Sequence, residues 1–237
     1  MATTFHFKQF AVEHDKSTMK VGTDAVLLGA WANVSHAGPI LEIGTGCGII
    51  SLMLAQRFNA LVTAIDIDFL SVQQAIANVV SSKWHQKITV IHTSLQEFTN
   101  SQPGLFDAVV CNPPFFNQSL KASTYRKNLA RHNDNLPPEE LFNAVNQLLS
   151  PEGLFSVIAP IEIFSLFEQK ALLNNFVTTR KTEIIPKEGK RTSRVLLEFS
   201  KKKRVSTENH LTILTIDDKY TNEYISLTKD FYLFLHS

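Results

Sequence analysis

At 237 residues, with 44% hydrophobic and 19% charged residues, the chain has the size of one large domain or two small ones and the composition of a globular protein, which excludes collagen-like and charge-driven disordered classes. Twenty-three basic residues against 22 acidic ones leave a net charge of +1, so no overall polyelectrolyte character draws it to nucleic acid. Two cysteines cannot build a disulfide framework, no apolar run nears the roughly 20 residues that cross a bilayer, and the start MATTFHFKQF lacks the pattern of an export signal; the expected setting is reducing and cytoplasmic, without a membrane partner.

Taken in chain order, residues 5–13 (FHFKQFAVE) alternate as a strand does, and 23–31 read as a helix. The apolar run 39–43 (PILEI) leads into glycines, and 49–58 have helical composition. Residues 61–67 are strand-like, 69–81 helical, 87–92 and 106–111 strand-like again. Residues 137–149 begin with prolines, then acids, then an apolar period, the signature of a helix first turn. A strand follows at 153–159, an amphipathic helix at 160–175, and then strand after strand within 176–186, 193–203 and 210–216. Alternating strands and helices imply an α/β fold with a parallel sheet covered on both faces, and the terminal strands imply an antiparallel margin. The expected organisation is one domain over 1–237: a cap at 1–38, too short for its own core, a ligand-binding core at 39–160, and C-terminal strands with a tail at 161–237.

The segment Leu41-Glu42-Ile43-Gly44-Thr45-Gly46-Cys47-Gly48 follows a strand and opens a helix. Glycines at alternate positions permit a sharp turn and let a ligand meet the backbone closely, while the helix start aims free N–H groups at the same crevice. The spacing is G-x-G-x-G, not the dinucleotide G-x-G-x-x-G. Glu42 would repel a pyrophosphate but suits an amine, such as that of S-adenosylmethionine. Asp66, at the end of the next strand, has the place of a carboxylate that accepts both ribose hydroxyls, with Asp68 as a competitor. The plain alternative is a tight turn with solvated acids.

Asn112-Pro113-Pro114-Phe115-Phe116 follows the strand FDAVVC. Two prolines stop the strand and stiffen the backbone where a polar group must be aimed. The Asn112 side-chain oxygen and the Pro113 carbonyl can together accept both hydrogens of a planar exocyclic amine, with Phe115 stacked on its ring. An adenine amine is a poor nucleophile because its lone pair is delocalised. Two acceptors on its N–H bonds favour a pyramidal nitrogen whose lone pair faces a methyl donor, so the catalysis is positioning and electrostatics without a strong base. The alternative is a loop that ends a strand and buries two aromatics.

With these motifs the sequence resembles the class I S-adenosylmethionine-dependent methyltransferases of the N-P-P-[FY] amino-methylating group. Phe7-Lys8-Gln9-Phe10, His14-Asp15, Met19 to Asp24 and Leu27-Leu28-Gly29-Ala30-Trp31 resemble the N-terminal signature of the bacterial tRNA1(Val) adenosine-37 N6-methyltransferases. Tyr220-Thr221, Glu223-Tyr224 and Leu227 to Tyr232 resemble the tail of that family, so the likeness spans almost the whole chain. It implies a Rossmann-like, mostly parallel seven-stranded sheet and methyl transfer to N6 of adenosine 37 beside the anticodon of a valine tRNA. It also implies a cofactor loop of Glu42, Gly44, Gly46 and Gly48, a ribose contact at Asp66, and a target-base site at Asn112, Pro113, Pro114 and Phe115. Where related enzymes place an acid after the third strand to bind the cofactor adenine, this chain has His92-Thr93-Ser94-Leu95, and Ser94 is the candidate.

Residues 180–204 hold ten basic residues against three acids. Such a patch suits a phosphate backbone, with Lys187, Lys190, Arg191 and Arg194 as candidates, or else it is a sheet edge guarded by lysines. A second basic stretch, 121–132, offers Arg126 and Arg131 beside the N-P-P-F loop. Residues 14–24 either fold over the cofactor or form a structural cap. Cys47 and Cys111 read as small buried residues, and no histidine spacing suggests a metal site. Three competing functions remain: an N-P-P-F guanine-N2 methyltransferase of ribosomal RNA, a protein glutamine methyltransferase, disfavoured by Phe115 in place of Tyr, and a nucleotide-binding module without catalysis.

Overall fold

The computed structural model describes residues 4–18, 20–34, 38–101, 104–113 and 136–234. A small hairpin, β1 (Thr4–His6) and β2 (Ala11–Glu13), precedes an eight-stranded sheet. The sheet comprises β3 (Ile40–Ile43), β4 (Val62–Asp66), β5 (Ile88–His92), β6 (Phe106–Cys111), β7 (Leu149–Pro160), β8 (Val177–Lys187), β9 (Arg194–Ser200) and β10 (Thr207–Leu214), in the order β10-β8-β9-β7-β6-β3-β4-β5. Strands β7, β6, β3, β4 and β5 run parallel, and β9 is antiparallel to both its neighbours. The α/β class and the antiparallel margin are as expected, but an eighth strand lies parallel to β8 at the outer edge.

Among the described residues seven helices accompany the strands: α1 (Thr23–Trp31), α2 (Ile49–Arg57), α3 (Phe69–Val80), α4 (Leu95–Asn100), α5 (Pro138–Leu148), α6 (Phe164–Leu173) and α7 (Asn222–Thr228). Side chains alternate across the sheet. Ile40, Ala108, Val110, Ile158 and Leu196 join the core under α1 and α2, while Leu41, Ile43, Val109, Phe155, Val157 and Leu197 join the core under α4, α5 and α6. Nearly every residue of α1 and α2 is buried, because these helices are covered by each other, by the sheet and by the chain ends. The amphipathic α5 carries Pro138 at its start and Glu139 and Glu140 in the first turn, where negative charge favours the helix dipole.

Two elements escaped the sequence patterns. α4 is only six residues long, and its signal is a capping box: Ser94 accepts from the Glu97 N–H while Glu97 reaches back to the Ser94 N–H. Thr221 caps α7 in a similar way. The single strand expected over residues 5–13 is instead a hairpin that turns between Phe7 and Phe10, whose backbone hydrogen bond is 2.8 Å. The turn lets Phe7, Phe10 and Val12 all reach the core while Lys8 and Gln9 stay in water. The helix expected over 160–175 starts with one 3-10 turn, Ile161–Ile163.

The hairpin joins the two ends of the chain. Phe7 stacks on Phe10 at 4.7 Å and bridges to Tyr232, and the Lys8 N–H donates to the Phe231 carbonyl. The two terminal signature segments, distant in sequence, are therefore one packed unit over α1 and α2. Replacing Phe7 by Ala removes a ring that is 4% exposed. We expect it to lower the unfolding free energy by about 3 kcal/mol in urea denaturation, read as a shifted midpoint with an unchanged slope.

Candidate active site

Cys111, Ile43, Ile65 and Ile91 stand opposite one another across β6, β3, β4 and β5. The residues one step beyond are Asn112, Gly44, Asp66 and His92, the last two still paired. Neighbouring strands lie about 4.8 Å apart, so the N-P-P segment leaves the sheet beside the glycine loop, with the Asp66 carboxylate on the loop's other side. All three motifs thus share the carboxyl edge of the parallel strands, the usual ligand edge of such sheets.

Gly44, Gly46 and Gly48 have φ values of +73°, +55° and +84°, which an L side chain adopts only with strain. A Cβ on Gly44 would project into open space, whereas one on Gly48 would sit 3.3 Å from Ala75 Cβ. The first glycine leaves room for a ligand, and the last brings α2 close against α3. The N-cap of α2 is Gly48, and the Ser51 N–H in its first turn donates to the Glu42 carboxyl group. The Gly44 and Thr45 N–H groups donate to the Ile65 carbonyl, and the Gly46 N–H donates to Asp66 Oδ2 at 2.7 Å. Asp66 Oδ1 accepts from the Asp68 N–H at 2.9 Å. These bonds hold the half-buried Asp66 carboxylate from both sides, while the Asp68 side chain caps α3 through the Ser71 N–H.

Glu42 is 1% exposed beneath the loop. Its Oε2 accepts from the Thr45 hydroxyl at 2.7 Å and from the Ser51 hydroxyl of α2, while Oε1 has no hydrogen-bond partner. The sequence marks Glu42 as a ligand-facing acid; the structure adds that it braces the loop from inside. Burial raises its carboxyl to about 7, against the lowering effect of the two hydroxyls. An orphaned buried acceptor, glycines without Cβ atoms and a carboxylate held from both sides fit a cationic amino acid joined to a ribose. The buried acid counts against a pyrophosphate.

Asn112 is buried, and its amide has no hydrogen-bond partner among the described residues. Pro113 is buried beside it. Pro114, Phe115, Arg126 and Arg131 lie outside the described residues. Ser94 stands one strand beyond Asp66, but its hydroxyl both accepts and donates within the α4 capping box. Cys47 and Cys111 are buried, and burial raises both thiols, so they are poor nucleophiles. Among the described residues no cluster of side chains suits a metal ion.

The N-terminal segment contributes residues that motif reading did not single out. Residues 13–18 run along α3, held by Asn78, Gln74 and Ser71. Asn78 Nδ2 donates to both the Glu13 and the Cys47 carbonyls, at 2.7 and 2.8 Å, and so ties this segment to the glycine loop. Ser17 is buried 3.4 Å from where a Gly46 Cβ would lie. Lys20 Nζ and the Val21 N–H close the segment on His14. The ordinary appearance of these polar residues on a helix hid this role, since their partners are backbone groups far away in sequence.

The basic stretch 180–204 is divided. Strand β9 runs from the carboxyl edge, where Arg194 pairs with Pro160, to the opposite edge, where Phe199 pairs with Phe155. Lys201 to Arg204 therefore sit at the far edge, where Lys201 donates to the Asn146 and Leu149 carbonyls and Lys202 and Arg204 pair with Glu152. In midstrand, Arg180 lies over Trp31 at 3.6 Å and pairs with Glu198, and Lys181 pairs with Glu183. At the carboxyl edge, Lys187 pairs with Asp218 and Arg194 with Asp24, leaving Lys190 and Arg191 exposed.

The Methyltransferase small domain family matches residues 16–163. A tRNA1(Val) (adenine(37)-N6)-methyltransferase of Phocaeicola vulgatus is 46% identical over 229 residues, 97% of each chain, and one of Trichodesmium erythraeum is 43% identical over 232 residues, again 97% of each. Among solved structures, a predicted O-methyltransferase from Agrobacterium tumefaciens superposes with a TM-score of 0.68 at 19% identity, covering 91% of this chain and all of that one, which bears on the fold alone.

The raised Glu42 carboxyl has a signed consequence. Between the ordinary carboxyl value near 4.5 and about 7, the unfolded chain has lost this proton while the folded one keeps it. Stability from this group therefore falls as pH rises through that window and is level above it. Against Glu42→Gln, the wild-type protein should lose up to about 3 kcal/mol between pH 4.5 and 7.5 in ligand-free urea titrations. A difference that does not change with pH would mean that the carboxyl ionises normally.

Proposed function

The chain belongs to the tRNA1(Val) (adenine(37)-N6)-methyltransferase family, and on that premise we propose that it transfers a methyl group from S-adenosylmethionine to N6 of adenosine 37 in the anticodon loop of tRNA1(Val). The observation that supports this is the row Asn112, Gly44, Asp66, in which the residue that follows β6 lies one strand away from the glycine loop. tRNA as substrate accords with a cytoplasmic enzyme, and no helix among the described residues is long and apolar enough to cross a membrane.

When bound, S-adenosylmethionine supplies an electrophilic methyl carbon. The glycine loop and the start of α2 would hold it, with Asp66 toward the ribose hydroxyls and the Glu42 carboxylate toward the amino group. Bracing by Thr45, Ser51 and the Gly46 N–H means that these groups need little reorganisation on binding. Ile67, 47% exposed directly after Asp66, offers an apolar surface for the adenine face.

The target base is held by acceptors. Asn112 Oδ1 and the Pro113 carbonyl accept the two N–H bonds of the adenine amine, which turns the nitrogen lone pair out of the ring plane and toward the donor side of the row. Asn112 does not take the proton. The amine becomes strongly acidic once it carries the methyl group, and the proton then leaves to solvent. Pro114 and Phe115, proposed on sequence grounds, complete the pocket. The rigid X-Pro backbone matters because a misaimed acceptor loses the orientation on which the rate depends.

Asn112→Ala should reduce kcat by on the order of 10²–10³-fold or more while leaving cofactor affinity nearly unchanged. Asp66→Ala should show the opposite split, a raised KM for the cofactor and a smaller change in kcat. The assay is incubation with labelled methyl donor and unmodified tRNA, followed by nucleoside analysis. N6-methyladenosine from a valine isoacceptor is the expected product. N2-methylguanosine, or full turnover by Asn112→Ala, would overturn the assignment.

A further inference from the structure

We propose that the β8–β9 hairpin is a rigid arm on which Lys190 and Arg191 grip the RNA backbone flanking the target nucleotide, while the neighbouring cations Lys187 and Arg194 serve as struts. The proposal rests on the methyltransferase reading and adds to it where the substrate's phosphates lie.

The strand order separates this from an edge-guarding role. β8 is paired on both sides, by β10 and β9, and β9 by β8 and β7. Neither strand is an edge, so cations at their junction protect no unpaired ladder. The turn lies at the carboxyl edge, because the start of β9 pairs with the end of β7 and the end of β7 runs beside the end of β6. Asn112 follows β6, two to three strand spacings from the arm, or roughly 10–14 Å. A strand of RNA bridges that separation with a few nucleotides.

The arm is built to hold its shape. The last partner of β8 on β9 is Arg194, opposite Ile184, yet β8 continues to Lys187 along β10, where Lys187 faces Leu214. Beyond it, the Glu188 N–H donates to the Leu214 carbonyl and the Lys190 N–H to the Lys187 carbonyl, and Gly189 turns the chain at φ +75°. Lys187 Nζ is 2.6 Å from Asp218 and Arg194 Nε is 2.9 Å from Asp24, which ties the arm to the β10–α7 turn and to the start of α1. Glu188 is occupied by the Ile216 N–H. Lys190 and Arg191 are exposed and make no ion pair among the described residues. Two unneutralised cations on a braced support, on the same edge as the amine-gripping turn, match the regular negative charge of a nucleic-acid strand.

The test uses the double variant Lys190→Glu/Arg191→Glu in the full chain, with Lys203→Glu, at the opposite edge of the sheet, as the control. Equilibrium binding of a labelled anticodon stem-loop is followed by anisotropy over a salt series. The arm variant should bind at least about tenfold more weakly, with a log–log salt slope shallower by about 1.5–2, while Lys203→Glu binds as wild type does. Cofactor affinity and melting temperature should be unchanged in both. Equal affinity and slope for the arm variant and wild type would overturn the proposal, as would a defect seen with full-length tRNA but not with the stem-loop. Because the readout is binding, a wild-type protein that failed to methylate tRNA would refute the methyltransferase reading separately, without deciding the arm.

Discussion

Parallel pairing of β6, β3, β4 and β5 in one register brings Cys111, Ile43, Ile65 and Ile91 into line, and the residues one step beyond inherit that alignment. The backbone hydrogen bonds of a parallel ladder are evenly spaced, so a slip of one residue would turn every side chain to the other face. Here such a slip would exchange Glu42 with its apolar neighbours Leu41 and Ile43 and place a carboxyl in the core beneath α4 and α5. The apolar pattern therefore sets the register, and the register sets Asn112 beside Gly44 and Gly44 beside Asp66.

The buried acid is the costly part of this arrangement. A carboxyl beneath a loop of left-handed glycines sacrifices hydration, and the Thr45 and Ser51 hydroxyls return only part of it. The return on one oxygen is a loop locked to α2; the other oxygen is buried without a partner. The N-terminal segment closes the loop from the opposite side through Asn78 and Ser17. The hairpin that begins this segment is anchored in turn by the aromatic cluster of Phe5, Phe7, Phe10 and Tyr232. The aromatic residues at the two ends of the chain thus bear on the site through packing.

Charge is the property on which composition and structure differ most. A basic excess within 25 consecutive residues suggests one continuous surface. An antiparallel strand carries the chain across the sheet in about seven residues, so consecutive cations are delivered to opposite edges. Most of them then meet carboxylates or carbonyls contributed by remote elements: Asp24, Glu152, Glu198, Asp218 and the end of α5. What remains for a partner is decided by this pairing and not by the count.

The sequence alone determined the alternation of strands and helices, the antiparallel margin, the glycine loop and the two acids near the ends of their strands. These features arise from short-range chemistry, in side-chain periodicity, proline stiffness and the steric freedom of glycine, and they survive in any context. Tertiary structure alone decided the eighth strand, the hairpin within residues 5–13, the partition of the basic stretch, the bracing role of Glu42 and the hydrogen bonds that hold the Asp66 and Asp68 carboxylates. Each of these depends on which distant backbone group or counter-charge comes within about 3 Å, and such encounters are set by the packing of the whole chain rather than by neighbours along it.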